Sequence, residues 1–255
     1  MEFIDTHTHL YEEGFRGEES QAVERALEAG VSKMVFPDID STSRDDMFSL
    51  SERFPGTVFP CLGLHPTSVG AGWKKAIEEM EGYMDRKIVA IGETGMDCYW
   101  SKEFIQEQKD ALEYQIVLAH RKNLPIIIHS RDATGLIFDV LEKCRNLDMR
   151  GVFHAFSGSV ETFRRLQKYG RWYVGIGGVV TYKNASIAET VKEIPLEYIL
   201  LETDSPYLTP VPKRGTRNES SYIPYIARKL ADLKGLSIEE IASATTSNAR
   251  QLFNI

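Results

Sequence analysis

The 255-residue chain is predicted to be an α/β protein, a (β/α)8 TIM barrel forming a single domain over residues 1–255 with an extra C-terminal helix. Three observations predict this. Eight short runs rich in Ile, Val and Phe alternate with helix-periodic segments along the whole sequence. Such alternation marks parallel strands joined by crossover helices. The length matches the roughly 250 residues that one barrel of this kind takes. Five of the apolar runs stop on or beside residues a metal can use, at the strand ends where a barrel keeps its chemistry. A doubly wound open sheet is the second architecture the alternation allows.

In chain order, the apolar runs place strands at Phe3–Thr6, Lys33–Phe36, Val58–Leu64, Ile88–Gly92, Pro125–Ile128, Val152–Phe153, Trp172–Gly175 and Tyr198–Leu201. Continuous runs of Ile, Val and Leu are expected of strands buried on both faces. Helical periodicity covers Ser20–Ala29, Trp73–Met84, Ser101–Lys122, Thr134–Cys144, Val160–Tyr169 and Ala185–Lys192. The longest of these carries Phe104, Ile105, Leu112, Ile116 and Ala119 on one stripe. A last helix opens at Ser237-Ile238-Glu239-Glu240, which has the capping-box pattern. Its stripe is Ile238, Ile241, Ala242, Thr245, Ala249 and Leu252. No linker, internal repeat or low-complexity tract divides the chain.

Bulk properties narrow the function. Hydrophobic residues make up 42% and charged residues 26%, an ordinary globular composition. Three cysteines, Cys61, Cys98 and Cys144, form no C-x-x-C pair, so a reducing, cytoplasmic location is expected. The acidic start Met1-Glu2-Phe3-Ile4-Asp5 lacks the pattern of a signal peptide. No apolar run approaches the roughly 20 residues of a membrane span. The net charge of −7 argues against a broad basic face that coats duplex nucleic acid. An enzyme that meets phosphates through metals and a few local cations stays open.

The chemistry lies at the strand ends. His7 and His9 are two apart, and residues i and i+2 of an extended chain share a face. Both imidazoles can then converge on one ion. Glu93 follows the fourth run, and its two carboxylate oxygens can bridge two ions. An alternative is a Glu held by an Arg or Lys. His129 follows Ile126-Ile127-Ile128, and His154 follows Val152-Phe153. Asp204 follows Leu201-Glu202-Thr203, with an N-cap before Ser205-Pro206 as its other reading. Six His, Glu and Asp donors without a thiolate favour Mg, Zn, Mn, Ni or Co. His65, before Pro66, reads as a phosphate contact or proton shuttle, or as a turn-stabilising histidine. Asp5 is expected to orient an imidazole, and His120 to be structural. Arg131, Lys183, Arg214 and Arg217 fall in segments after strands five, seven and eight, where cations suit an anionic substrate. Gly175-Ile176-Gly177-Gly178-Val179-Val180 is not a dinucleotide fingerprint, because its sixth place is Val180. Phe156-Ser157-Gly158 lacks the first Gly of a nucleophile elbow.

Six segments resemble those of the TatD family of metal-dependent deoxyribonucleases, within the wider amidohydrolase-like barrel superfamily. They are Asp5-Thr6-His7-Thr8-His9, Gly63-Leu64-His65-Pro66, Ile91-Gly92-Glu93-Thr94-Gly95, His129-Ser130-Arg131-Asp132-Ala133, His154-Ala155-Phe156-Ser157-Gly158 and Leu201-Glu202-Thr203-Asp204-Ser205-Pro206-Tyr207-Leu208. The resemblance implies two divalent cations and phosphodiester hydrolysis. It gives one metal to His7, His9, Glu93 and Asp204, and the other to Glu93, His129 and His154. The departures are Ala155 for a frequent Cys, Asn218-Glu219-Ser220 for Asn-Glu-Pro, and Met96 and Cys98 where Leu and Tyr are common.

The expected activity is hydrolysis of DNA by a metal-activated water, as a 3′–5′ exonuclease on single-stranded or frayed ends. The expected catalytic residues are Asp204, Glu93 and His65. His65, Arg131, Lys183 and Arg214 are the expected substrate contacts, with no obligate protein partner and no membrane. The alternative is an amide or ester hydrolase, of amidohydrolase or aminoacyl-tRNA deacylase type, since the same centre attacks carbonyls. Where related amidohydrolases bridge their metals through a modified Lys, Glu93 stands here, which favours the nuclease.

Overall fold

Eight parallel strands follow one another around a ring in the computed structural model, which describes residues 1–255. Strands β1 (Phe3–Asp5), β2 (Val31–Phe36) and β3 (Val58–Pro60) form one ladder. Strands β4 (Ile91–Asp97), β5 (Ile126–Arg131), β6 (Arg150–Phe153), β7 (Arg171–Ile176) and β8 (Ile199–Leu201) form the other. Two seams join the ladders. At one, the Leu62 N–H donates to the Ala90 carbonyl (3.2 Å) and the Gly92 N–H to the Leu62 carbonyl (2.8 Å). At the other, the Thr6 N–H donates to the Leu201 carbonyl (3.0 Å) and the Asp204 N–H to the His7 carbonyl (2.9 Å). The sheet thus returns on itself as the predicted TIM barrel, and no strand edge is left for another chain to pair with.

Alternation along the strands sorts the core into two parts. Ile4, Val35, Phe59, Ile127, Val152, Tyr173 and Leu200 fill the barrel interior. Their neighbours Phe3, Met34, Ile126, Ile128, Phe153, Val174 and Leu201 join the apolar layer under the helices. The same period of two carries the inward side from Ile127 to His129, from Val152 to His154, and from Leu200 to Glu202 and Asp204.

The crossovers are α1 (Glu19–Glu28), α2 (Arg44–Arg53), α3 (Trp73–Glu81), α4 (Ile105–Lys122), α5 (Thr134–Lys143), α6 (Val160–Leu166) and α7 (Ile187–Glu193). After β8 come α8 (Ile223–Lys234) and the predicted extra helix, α9 (Ile238–Phe253). The capping box of α9 forms as expected: Ser237 Oγ accepts from the Glu240 N–H (3.2 Å), and Glu240 Oε2 accepts from the Ser237 N–H (2.8 Å). Ala249, Leu252 and Phe253 of α9 close the interior from below. Asn248 donates to the carbonyls of Leu196 and Ile199 (both 2.9 Å), and Thr246 to that of Glu2 (3.1 Å). The plug therefore sits at the strands' N-terminal ends and leaves the other end for the site.

Several features differ from the sequence expectation: β3 stops at Pro60 rather than Leu64, and β5 runs on past Ile128 to Arg131. Helices α2 and α8 were not anticipated. In α2 the apolar positions Met47, Phe48 and Leu50 are scattered among charges, and a buried Arg44 replaces an apolar residue, paired with Asp38 (2.8 Å). Strand β4 begins and ends later than Ile88–Gly92, because Gly95, Met96 and Asp97 go on pairing with His129, Ser130 and Arg131. Glu93 is consequently inside its strand rather than just past it. No helix is long and apolar enough to cross a membrane.

Candidate active site

The other five predicted ligands and His65 gather around the sixth, the carboxylate of Glu93. Its two oxygens face different neighbours. Oε2 lies 3.1 Å from His7 Nε2 and 3.7 Å from His9 Nε2. Asp204 Oδ1 completes that side, 3.7 and 3.8 Å from the same two nitrogens. Oε1 lies 2.8 Å from His154 Nε2, 2.9 Å from His129 Nδ1 and 3.4 Å from His65 Nε2.

Backbone contacts fix these side chains. Asp38 N–H donates to the Gly92 carbonyl (3.0 Å) and Glu93 N–H to the Asp38 carbonyl (2.9 Å). A Cβ at Gly63 would come within 2.5 Å of the Gly92 carbonyl carbon, so only glycine lets the Glu93 segment lie this close to β3. Asp204 is not an N-cap. It takes a left-handed φ of 56° beyond β8 and turns its carboxylate to the histidines. Asp5 also differs from expectation. It accepts from the His7 N–H (3.3 Å), the Thr203 N–H (3.0 Å) and the Thr203 hydroxyl (2.6 Å). It braces the backbones on either side of the β8–β1 seam and orients no imidazole.

Outer partners decide which ring nitrogens carry protons. Tyr11 gives its hydroxyl proton to the Pro37 carbonyl, so at 2.9 Å it accepts from His9 Nδ1–H. The His9 Nε2 lone pair then points at the cluster. Asp97 Oδ2 accepts from His129 Nε2–H (3.0 Å), which turns the Nδ1 lone pair inward. Glu202 Oε1 lies 3.6 Å from His154 Nδ1, an ionic contact rather than a hydrogen bond. Room for Glu202 comes from Gly175, whose Cβ would lie 1.9 Å from Glu202 Oε2.

His65 is arranged the opposite way. Its Nδ1 accepts from the Thr67 backbone N–H (3.2 Å), which can only donate. The neutral ring therefore carries its proton on Nε2, the nitrogen facing Glu93. The turn-stabilising reading of His65 is seen directly, and its other nitrogen is turned toward Glu93. One nitrogen caps the turn at Pro66–Ser68, and the other lies 3.4 Å from Glu93 Oε1.

The charge balance favours cations. Burial raises Glu93, but His154, His7 and His65 outweigh it and hold the carboxyl well below its usual range. Burial drives His7 down to about 4 and His9 well below its ordinary value. Burial also opposes charge on His154, yet Glu93 and Glu202 raise it well above the usual imidazole value. On His129, burial is outweighed by hydrogen bonds to Asp97 and Glu93, and the net shift is upward. Burial raises Asp204 to about 7, with Glu93 and Glu202 adding to it against His154.

These donors fit divalent cations. Two ligands each about 2.0–2.1 Å from one ion, at four- to six-coordinate angles, lie about 3.0–3.4 Å apart. The His7 and His9 Nε2 atoms are 3.0 Å apart, and those of His154 Nε2 and His129 Nδ1 are 3.3 Å apart. Nitrogens and carboxylates with their outer sides already bonded are the donors such ions take. A cation has to displace the protons that His154 and His129 hold. Because both are raised, its affinity is expected to start falling above the ordinary imidazole value near ~6.5 and to keep falling as pH drops further. Calorimetry in buffers of different ionisation heat should show protons released on binding. Binding with no proton release at pH 6 would contradict this arrangement.

The cations of the mouth divide. Arg131 is exposed and stacks on Tyr99, 3.8 Å from the ring centroid. Arg214 is exposed and lies 4.3 Å from the Tyr182 ring centroid, and Lys183 is exposed on the segment after β7. Arg217 is committed elsewhere, donating to the Gly14 carbonyl (2.7 Å) and to Glu18 (2.9 Å). His120 is exposed on α4. Ser220, which departs from the family pattern, gives its hydroxyl to Thr8 (3.1 Å). Tyr11, Asp97 and Glu202 were not singled out from the sequence. Glu202 stands two before Asp204, the same spacing that paired His7 with His9, and that spacing was the available signal.

A metal-binding hydrolase built on a TIM barrel is the class this fold and donor set define, and comparison with known proteins agrees. Residues 4–254 match the family described as TatD related DNase. The chain is 40% identical over 259 residues to the metal-dependent hydrolase YabD of Bacillus subtilis, covering 99% of each. It is 35% identical over 266 residues to the metal-dependent hydrolase TatD of Mycobacterium tuberculosis, covering 99% of this chain and 98% of the other. The crystal structure of YjjV, a TatD homologue from Escherichia coli, superposes with a TM-score of 0.90 at 30% identity, covering 99% and 98% of the two chains. The chain belongs to the TatD family of metal-dependent hydrolases.

Proposed function

We propose that this site hydrolyses phosphodiester bonds of DNA with two divalent cations, acting as a 3′–5′ exonuclease on single-stranded or frayed ends. The observation that carries the reading is the division of donors across Glu93, His7 and His9 on Oε2 with Asp204 beside them and His129 and His154 on Oε1. His7, His9 and Asp204 would hold one cation with Oε2. His129 and His154 would hold the other with Oε1. When bound, such a pair polarises the phosphoryl group and acidifies the attacking water. The name of the matched family supports a DNA substrate.

The chain's own groups complete the chemistry. Asp204 accepts the water's proton as general base. His65 gives its Nε2–H to a phosphate oxygen. Arg131, Lys183 and Arg214 meet phosphates along the strand. His65→Ala is expected to keep the metals and lower turnover by about 10²-fold, the scale of one lost proton donor. Metal analysis beside kinetics checks it, and a variant that lost metal would make His65 a ligand.

Geometry and charge set the form of the substrate. A duplex, whose major groove alone is about 12 Å wide, is expected to reach groups sunk at the strand ends less readily than a single strand. The net charge of −7 leaves only local cations for phosphates. Single strands and frayed 3′ ends are expected to be cut faster than blunt duplex. Arg214→Ala should reduce that activity and flatten its salt dependence at unchanged metal content. Equal rates on closed circular duplex and single strands would refute the exonuclease reading. The acyl alternative predicts the reverse pattern in a screen of single-stranded DNA, a simple phosphodiester and an acyl ester, each with and without chelator.

A further inference from the structure

One flank of the site is aromatic rather than ionic. Just past β4, Tyr99 and Trp100 project from the surface, 56% and 69% exposed. Rings that large are mostly covered in folded proteins. They are nevertheless held in place. Asp97 Oδ1 accepts from the backbone N–H groups of Tyr99 (2.9 Å) and Trp100 (3.1 Å). The two rings meet edge to face with centroids 5.1 Å apart. Arg131 lies over Tyr99, and its guanidinium carbon is 5.3 Å from the Trp100 centroid. Beside them opens a cavity of about 330 Å³, lined by Trp100, Phe104, Val69, Pro66, Thr67 and Asp97 among others. That volume is at the small-molecule end of ligand sites.

The cavity adjoins the metal-binding cluster at two points. Thr67 holds His65 through a 2.6 Å contact between its hydroxyl and Nδ1. Asp97, which fixes the aromatic tip with one oxygen, reaches His129 Nε2 with the other at 3.0 Å. A group seated here lies next to whatever occupies the space around Glu93 Oε1.

An exposed indole, a recess in which Val69 and Phe104 stand among polar residues such as Ser101 and Gln108, and a stacked Arg suit a flat ring with polar edges joined to an anion. We propose that Trp100 and this cavity receive the unpaired base of the nucleotide whose phosphate is cleaved, with Arg131 on an adjoining phosphate. The inference rests on the reading of the site as one that takes a nucleic-acid strand. Stacking uses the π face common to every base, so the cavity selects an unstacked base without reading sequence. A base within a duplex has both faces covered and must leave the stack to enter. Preference for single strands then has a physical seat in particular side chains, separate from the width of the mouth.

The test compares kcat/KM on a single-stranded oligonucleotide and on the same strand ending in an abasic tetrahydrofuran unit. The wild type should lose about 5- to 150-fold on the abasic strand, the range of one base–aromatic stack. Trp100→Ala should show a similar loss on the normal strand and no further loss on the abasic one. Trp100→Phe should recover most of it, and all variants should keep their metal. No loss in Trp100→Ala, or equal losses on both strands, would overturn the inference. A second measurement needs no turnover. Trp73 and Trp172 are 9% and 0% exposed, which leaves Trp100 as the accessible indole. Deoxyadenosine monophosphate should quench its emission, and deoxyribose 5-phosphate should not. Such quenching in a protein that cleaves no DNA would keep the base site and discard the nuclease reading. Equal responses to the two phosphates would remove the base site itself.

Discussion

Glu93→Ala is expected to strip the site of all bound metal and to lower hydrolysis by about 10³-fold or more, beyond what removing one preorganised donor costs an active site. The size follows from position. His7 and His9 share Oε2, while His129 and His154 share Oε1. Losing the carboxylate removes the negative charge both groups of donors depend on. It also leaves His154, raised well above its ordinary value beside Glu93 and Glu202, without its nearest counter-charge. A single ligand such as His9 touches only one side, and His9→Ala should retain the other cation. Metal content per chain, measured on both variants after dialysis, separates them. Retention of one full equivalent in Glu93→Ala would mean that the two groups of donors bind independently.

Asp204→Asn carries the second large effect. Asparagine keeps the shape and one carbonyl oxygen toward His7 and His9, but it cannot take a proton from water. Turnover should fall by about 10²–10⁴-fold, the scale of a lost general base. The fold should survive, because the backbone here is held by other residues. Asp204 N–H donates to the His7 carbonyl, Asp5 binds Thr203, and Asn218 Nδ2 donates to the Thr203 carbonyl (2.8 Å). Near-normal turnover with full metal content would take Asp204 out of the chemistry.

The barrel was legible because its strands are buried on both faces. Ile126-Ile127-Ile128 and Ile199-Leu200-Leu201 read as strands without help from neighbours. Helix α8 was missed although its pattern was present in the sequence. Ile223, Ile226, Ala227, Leu230 and Ala231 form a strict stripe, and Pro224 sits in the first turn, where it costs little. Helix α2 was not legible, since its buried Arg44 is explained only by Asp38, which the chain brings to it through tertiary packing. The donors around Glu93 were readable because each stands where an apolar run ends. Their outer partners were harder. The sequence offers no sign that Tyr11 passes its proton to Pro37, or that Asp97 on β4 faces His129 on β5. Both contacts depend on register between elements, and so does the burial of Glu202 against Gly175. The mouth cations are the weakest case. Arg131 and Arg217 look alike in sequence, yet Arg131 is exposed over Tyr99 at the cavity, while Arg217 lies over Phe15 and is spent on Gly14 and Glu18.

The most direct test of the proposed two-cation centre is anomalous diffraction from crystals grown with Mn or Zn. The arrangement around Glu93 predicts two peaks roughly 3.5–4 Å apart, the spacing of paired hydrolytic cations. One should be bound by His7, His9, Asp204 and Oε2, and the other by His129, His154 and Oε1. A single peak at full occupancy, with Glu93 touching it through one oxygen only, would contradict the account.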